Sequence, residues 1–216
     1  MGLKMKSFQE ILALIFLLLF SESNAQNLQK LDQRSFQQAQ SWRSPASDEM
    51  FGICSGSVLP AATLLPAGLY AFSTFGKRKD SCLAAKAISI GTAGAAGILV
   101  SQGLKILFRR PRPFESTDGT AHLQPIPDRW SMPSGHSSLA FSTATALCLE
   151  FPRWEVIAPS LIWAGGVGFS RVMLGRHYPG DVLAGAFTGA ACAWANHALN
   201  KKLREKWQRK IKHCRH

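Results

Sequence analysis

Five apolar segments, separated by short charged or proline-containing stretches, restrict the fold of this 216-residue sequence more than any other feature. They cover Ser55–Phe75, Ala87–Leu104, Ser137–Leu149, Val156–Ser170 and Val182–Leu199. The first two contain 21 and 18 uncharged residues, enough for a helix to cross a hydrocarbon layer of about 30 Å. The third and fourth are shorter, so they need flanking residues or protein neighbours to complete a crossing. The pattern predicts an all-α integral membrane helical bundle with about five transmembrane helices, and a membrane-embedded domain at 55–199.

The first 25 residues have the features of an export signal. Lys4 and Lys6 form a basic start, Ile11–Phe20 is an apolar core, and Ser23-Asn24-Ala25 is a small-residue cleavage site. Ten apolar residues rise only about 15 Å as a helix, which is half the thickness of the hydrocarbon core. We therefore predict a signal peptide at 1–25, with an uncleaved anchor as the alternative, followed by an exported segment at 26–54.

The basic residues predict the orientation of the bundle. Lys and Arg number 25 against 13 Asp and Glu, and most of the formal charge of +12 comes from the cluster at 77–86 and the tail at 200–216. Basic segments beside membrane helices stay in the cytoplasm. This predicts a bacterial inner-membrane protein with a cytoplasmic tail. The segments 26–54, 105–132 and 171–181 would then face the periplasm. We expect the tail to contact anionic lipid rather than nucleic acid, because the chain has no room for a nucleic-acid-binding fold.

Unusual polar residues collect at the predicted outer ends of the apolar segments. Lys105 closes the second segment, and Arg109, Arg110 and Arg112 follow within seven residues. Cations placed this close together repel one another, so an anion between them would stabilise the cluster. Pro133-Ser134-Gly135-His136 opens the third segment, and a helix start of this kind favours a phosphate or a similar oxyanion.

A histidine and an acid stand at the entrance to the fifth segment. Arg171 ends the fourth segment, and His177 precedes Asp181 by four residues. If that segment is helical, His177 and Asp181 share a face, and the carboxylate can hold one ring nitrogen while the other faces the site. The sequence contains no carboxylate cluster that would suit a metal, and its five cysteines show no metal-binding spacing.

Taken together, these residues resemble the signature of a known family. The patterns are Lys105-x6-Arg112-Pro113, Pro133-Ser134-Gly135-His136 and Ser170-Arg171-x5-His177-x3-Asp181. They are similar to the complete three-part signature of the type 2 phosphatidic acid phosphatase (PAP2) superfamily. That superfamily also includes soluble bacterial acid phosphatases and vanadium haloperoxidases. The flanking apolar segments resemble its membrane-embedded branch, which dephosphorylates lipids.

The resemblance implies a role for each motif residue. His177 would be the nucleophile that becomes a phosphohistidine, Asp181 would orient it, and His136 would be the general acid and then the base. The remaining motif residues would bind the phosphate oxygens, namely Lys105, Arg112, Ser134, Gly135 and Arg171. No metal or cofactor is implied.

The predicted function is hydrolysis of phosphate from a membrane lipid on the periplasmic side. Lipid A, undecaprenyl diphosphate and phosphatidylglycerol phosphate are not separated by the sequence, although the size of the chain slightly favours lipid A. A soluble periplasmic acid phosphatase and a vanadate-dependent haloperoxidase are the alternatives. Arg109, Arg110 and Arg176 flank the motifs without matching them. We interpret them first as residues of a solvated interface, with support of the motif residues or contact with the lipid headgroup as the alternative. The sequence indicates no protein partner.

Overall fold

The computed structural model describes residues 22–76, 79–113 and 129–213. Its helices are α1 (Glu22–Ser41), α2 (Pro45–Gly56), α3 (Val58–Phe75), α4 (Ser81–Phe108), α5 (Gly135–Glu150), α6 (Trp154–Met173) and α7 (Pro179–His213). Every regular element within the described ranges is an α-helix, which confirms the all-α fold class. Most of the predicted signal segment and most of the 105–132 loop lie outside the described residues.

Helix caps explain where several of these elements begin. Ser44 and Ser47 form a capping box at the start of α2, and Pro45 occupies its first turn. The carboxylate of Asp80 accepts hydrogen bonds from the amides of Cys82 and Leu83 at 2.9 and 3.0 Å, which satisfies donors at the start of α4. These local signals place the helix starts next to the apolar segments that the sequence analysis identified.

Each of the five predicted apolar segments lies within helical structure, with longer bounds than predicted. The first is divided between α2 and α3 at Ser57. Three described stretches are long and apolar enough to cross a membrane: Pro45–Phe75, Ser81–Phe108 and Trp154–Met173. The bundle is therefore a membrane protein by length and composition, and the number of its spans remains a prediction.

Helix α5 is the central helix of the bundle, which explains its short apolar segment. It packs against α4, α6 and α7, and eleven of its 16 residues are buried. Ala140 and Ala144 are fully enclosed in a cluster with Val167 of α6. Because neighbouring helices surround it, α5 can carry many serine and alanine residues that a lipid-facing helix of that length could not.

Glycines allow α7 to approach the backbone of α5. A Cβ atom added at Gly185 would lie 2.5 Å from the carbonyl oxygen of Ser134, and one at Gly189 would overlap the carbonyl oxygen of Ser138. The Gly185-x-x-x-Gly189 motif therefore serves the close helix packing that such spacing favours in membranes.

The two ends of the bundle differ in chemistry. At one end, the Nζ atom of Lys86 donates to the carbonyl of Glu150 at 2.9 Å, and the Nδ1 atom of His197 lies 3.1 Å from the Glu150 carboxylate. The basic tail begins at this end. The end of α4 and the starts of α5 and α7 meet at the other end, where the signature residues lie. The signature residues and the start of the basic tail thus lie at opposite ends of the bundle, as the sequence predicted. Which end faces the periplasm remains a prediction.

Helix α1 packs across the end that carries the signature residues. Ala39 of α1 joins a buried cluster with Val172 and Met173 of α6, and the Gln40 Nε2 atom donates to the Val172 carbonyl at 2.7 Å. The sequence analysis treated 26–54 only as an exported segment. The structure attaches that segment to the site.

Candidate active site

Six of the eight predicted site residues line one cavity of about 270 Å³. They are Lys105, Arg112, Gly135, His136, Arg171 and His177. They come from the end of α4, the loop after it, the start of α5, the end of α6 and the turn before α7. The fold thus brings together residues separated by up to 72 positions in the chain, as the three-part pattern predicted.

Three cations line this cavity, and two of them are held away from bulk water. Lys105 is only 2% exposed and Arg112 only 6%. The Arg171 Nη1 atom donates to the hydroxyl of Ser55 at 2.6 Å, so α2 helps to place this guanidinium. Buried positive groups attract anions more strongly than exposed ones, because the local dielectric constant is lower. The cavity therefore suits a small polyanion such as a phosphate group.

The start of α5 contributes to the cavity through Gly135 and His136. Ser134 is the N-cap of this helix, and its hydroxyl oxygen accepts hydrogen bonds from the amide and the hydroxyl of Ser137 at 3.4 and 3.0 Å. The amide of Ser134 in turn donates to the carbonyl of Asp181 at 2.9 Å. Ser134 therefore caps α5 and ties it to the start of α7, while its predicted contact with phosphate remains a prediction.

His177 and Asp181 meet at the start of α7 rather than on a continuous helix. The helix begins at Pro179, so His177 lies in the turn between α6 and α7. One carboxylate oxygen of Asp181 accepts from the amide of Tyr178 at 2.9 Å, which stabilises the helix start. The same oxygen lies 3.7 Å from the Nδ1 atom of His177, a distance longer than a hydrogen bond. A shift of less than 1 Å would join the two groups.

Burial controls the protonation of His177. Its side chain is almost completely enclosed, and this loss of hydration lowers its pKa from 6.5 to about 4. The Asp181 carboxylate opposes this effect, whereas the charges of Arg112 and Arg171 add to it. The imidazole in the turn is therefore neutral at pH 7 and has a ring nitrogen with an available lone pair.

A comparison with known families shows which family the chain belongs to. Residues 86–205, more than half of the chain, match the model of the PAP2 superfamily. The chain belongs to the PAP2 superfamily.

Relatives within the PAP2 superfamily match the chain over part of its length. An undecaprenyl-diphosphatase of Sulfolobus acidocaldarius is 37% identical over 93 residues, which are 43% of this chain and 45% of the relative. A lipid A 1-phosphatase of Rhizobium johnstonii is 46% identical over 61 residues, which are 28% of this chain and 24% of the relative. The chain thus spans less than half the length of these two relatives.

Two solved structures share the fold. The first transmembrane PAP2-type phosphatidylglycerolphosphate phosphatase from Bacillus subtilis has a TM-score of 0.65 and 24% identity, and the match covers 88% of this chain and 94% of that one. Aquifex aeolicus LpxE has a TM-score of 0.58 and 24% identity, with coverages of 77% and 94%. At this identity the similarity supports the helical architecture alone.

Gln102 and Arg176 join the signature residues in lining the cavity. Sequence reasoning missed Gln102, whereas it named Arg176 as a residue that flanks the motifs. Arg109 donates to the carbonyl of Ile106 and is exposed, as a residue of a solvated interface would be. The same interpretation is wrong for Arg110, because its guanidinium bridges the carboxylates of Asp32 and Asp181.

A signal for Arg110 was present in the sequence, because it lies between Lys105 and Arg112 in the first motif. Asp32 had no comparable signal. Asp32 lies more than 70 residues before Lys105 in the chain, and only the packing of α1 brings it to Arg110.

Proposed function

We propose that this chain is a metal-independent lipid phosphate phosphatase that acts through a phosphohistidine at His177. One observation carries the proposal: the neutral, buried imidazole of His177 lies in a cavity that Lys105, Arg112 and Arg171 also line. Phosphoryl transfer depends mainly on an in-line nucleophile and on positive charge around the equatorial oxygens. This cavity brings the two together.

The reaction has two steps that use the same residues. The Nε2 atom of His177 attacks phosphorus while the bond to the lipid oxygen breaks, and protonated His136 gives its proton to that leaving oxygen. Neutral His136 then takes a proton from a water molecule, whose oxygen attacks phosphorus and breaks the P–N bond. Asp181 stabilises the positive charge that develops on the His177 ring during the attack.

Phosphate binding is assigned to residues at the cavity wall and at the start of α5. Lys105, Arg112 and Arg171 would each contact phosphate oxygens, with the Gly135 amide and Ser134 at the helix start. Among the described residues, no group of three His, Cys, Asp or Glu side chains could hold a metal ion. The proposed charge stabilisation comes from the protein's own cations.

The substrate class follows from the surroundings of the cavity and from the relatives. Apolar side chains of α3 and α4 share the cavity wall with the cations, among them Leu59 and Ile98, so a phosphate attached to an acyl or prenyl chain suits it. Relatives named as an undecaprenyl-diphosphatase and as lipid A phosphatases support a lipid substrate. The site would face the periplasm from a bacterial inner membrane, a proposal supported by Lys86 and the start of the basic tail at the other end of the bundle.

Phosphate release from defined lipids tests this function. The purified protein in mixed micelles, with EDTA present, is offered lipid A, undecaprenyl diphosphate, phosphatidylglycerol phosphate and phosphatidic acid. We expect release from at least one lipid, loss of that release in His177→Ala, and acid-labile radiolabel on His177 of the wild type. His197→Gln is the matched control, since this histidine lies at the opposite end of the bundle.

Three results would contradict the proposal. Label on another side chain, or turnover that survives His177→Ala, would remove His177 as the nucleophile. Activity released by a carbonate wash without detergent would support a soluble acid phosphatase. Halide oxidation that requires vanadate, without phosphate release, would identify a haloperoxidase.

A further inference from the structure

Arg110 forms a bridge between two carboxylates behind the cavity. Its Nη1 atom donates to Asp181 Oδ1 at 2.8 Å, and its Nη2 atom donates to Asp32 Oδ2 at 2.6 Å. The guanidinium carbon also lies 4.2 Å from the centre of the Tyr178 ring, a distance typical of a cation–π contact. The two carboxylates thus bind the N–H groups of the Arg110 guanidinium, and the Tyr178 ring packs against its face.

Asp32 connects this bridge to the start of α7. Its second oxygen accepts a hydrogen bond from the Gly180 amide at 2.7 Å. Phe36, one turn further along α1, packs edge-to-face on Tyr178 with ring centres 5.3 Å apart. Helix α1 therefore contacts the residues on both sides of Pro179, where α7 begins.

We propose that Arg110 and Asp32 are positioning residues that hold the Asp181 carboxylate against His177, so that helix α1 is a working part of the active site. This inference rests on the proposed phosphatase function. One oxygen of Asp181 accepts from the Tyr178 amide and lies 3.7 Å from His177 Nδ1, and the other oxygen accepts from Arg110. With Arg110 in place, the carboxylate plane is fixed and the oxygen nearest His177 cannot rotate away.

The chemistry of arginine suits this role better than that of lysine. A guanidinium presents parallel N–H groups in a rigid fork, whereas an ammonium group is a point charge on a flexible stem. A lysine at position 110 could pair with one carboxylate at a time. The fork lets one side chain fix both Asp32 and Asp181.

A purely structural bridge would behave differently from a positioning bridge. If Arg110 only attached α1 to the bundle, its loss would reduce the amount of folded protein without changing the turnover of the folded fraction. If it positions Asp181, its loss lowers kcat of the folded enzyme. The cations that bind phosphate are separate side chains, so phosphate binding would persist.

The experiment compares three variants with the wild type, using kcat, KM and the inhibition constant of inorganic phosphate. Arg110→Gln removes the bridge, and we expect kcat to fall by about 100-fold, as small misplacements of catalytic groups do. Asp32→Asn leaves the pair with Asp181 and should lower kcat by about tenfold. The inhibition constant of phosphate should stay within about twofold in both variants, because neither residue lines the cavity.

Gly180→Ala perturbs the bridge without changing any charge. The added methyl group would lie 2.9 Å from the Asp32 oxygen that accepts from Arg110, so this carboxylate must shift from its present position. We expect this variant to resemble Asp32→Asn. It also decides the question if Arg110→Gln fails to fold.

Two matched controls complete the design. Arg109→Asn removes the neighbouring arginine, whose side chain contacts only the Ile106 carbonyl among the described hydrogen bonds, and asparagine tolerates its left-handed backbone (φ 49°). Asp48→Asn removes an exposed pair with Arg43 in the same exported segment. Both controls should keep the wild-type kcat.

The outcomes separate this inference from the proposed function. Wild-type kcat in both Asp32→Asn and Gly180→Ala, or a loss confined to folded yield, would overturn the positioning role while leaving the phosphatase intact. An equal loss in Arg109→Asn would also overturn it. If the wild type releases no phosphate from any lipid, the proposed function fails and the inference fails with it.

Discussion

Acidification provides the sharpest test of His177. The unperturbed imidazole titrates at pH 6.5, whereas burial lowers the pKa of His177 to about 4. At pH 5.5, a pKa of 4 leaves about 97% of the rings neutral, whereas a pKa of 6.5 would leave about 9%. The fraction of His177 that is neutral, and so able to attack phosphorus, therefore differs by about tenfold at pH 5.5 between a pKa of 4 and a pKa of 6.5.

The same shift affects stability in a defined direction. The unfolded chain binds a proton at His177 below pH 6.5, whereas the folded chain binds it only near pH 4. Folding stability is therefore fully present above pH 6.5 and falls as the pH drops towards 4, with a slope of up to about 1.4 kcal/mol per pH unit from this group. The total loss of folding free energy from His177 between pH 6.5 and pH 4 is on the order of 3 kcal/mol.

Two measurements check this prediction. Histidine NMR of the detergent-solubilised protein follows the His177 ring directly, with the signal assigned by its loss in His177→Gln. The pH dependence of kcat/KM reports the free enzyme, and return of each sample to pH 7 separates titration from unfolding. Because the terminal phosphate of a monoester or diphosphate substrate itself titrates near pH 6, the NMR midpoint assigns the acid limb of the profile to His177.

The expected profile falls on the acid side near pH 4 and on the alkaline side where His136 loses its proton. An NMR midpoint of the His177 ring near 6.5 would refute the reasoning from burial. A profile that is flat between pH 5 and 9 would refute the pairing of His177 with His136 as acid.

Three further predictions concern packing, cation placement and capping. Gly189→Ala should destabilise the bundle by about 1–3 kcal/mol through overpacking, measured as a lower Tm, while Gly165→Ala, which has open space around it, should not. Ser55→Ala removes a hydrogen bond to Arg171, so kcat/KM should fall by about tenfold; an unchanged value would remove α2 from the site. Asp80→Ala deletes the cap of α4 and should lower stability by about 1 kcal/mol without altering KM.

The spacing of chemical groups along the chain was enough to predict the main parts of the site. Lys105, His136, Arg171 and His177 each stand at or beside the end of an apolar segment. Alternating helices bring such ends together, so the cavity could be expected before any coordinates. Gly185 and Gly189 also stand four residues apart in the sequence, a spacing that favours close helix packing in lipid.

Other features depended on geometry that local sequence does not encode. The apolar segment at Ser137–Leu149 looked too short to cross a membrane, and only its burial among α4, α6 and α7 explains it. Ser134 also ties α5 to the start of α7, because its amide donates to the carbonyl of Asp181 at 2.9 Å. Both features follow from neighbours that are distant in the chain.

The sequence by itself determined the helical class, the order of the segments and the chemistry of the signature, because hydrophobicity and spacing act locally along the chain. Only the tertiary structure decided that Asp32 of α1 would meet Arg110, and that Arg110 would reach Asp181 behind the cavity. Such pairs form where burial makes an unpaired charge costly. Which charges are buried together depends on how whole helices pack, and no short window of sequence contains that information.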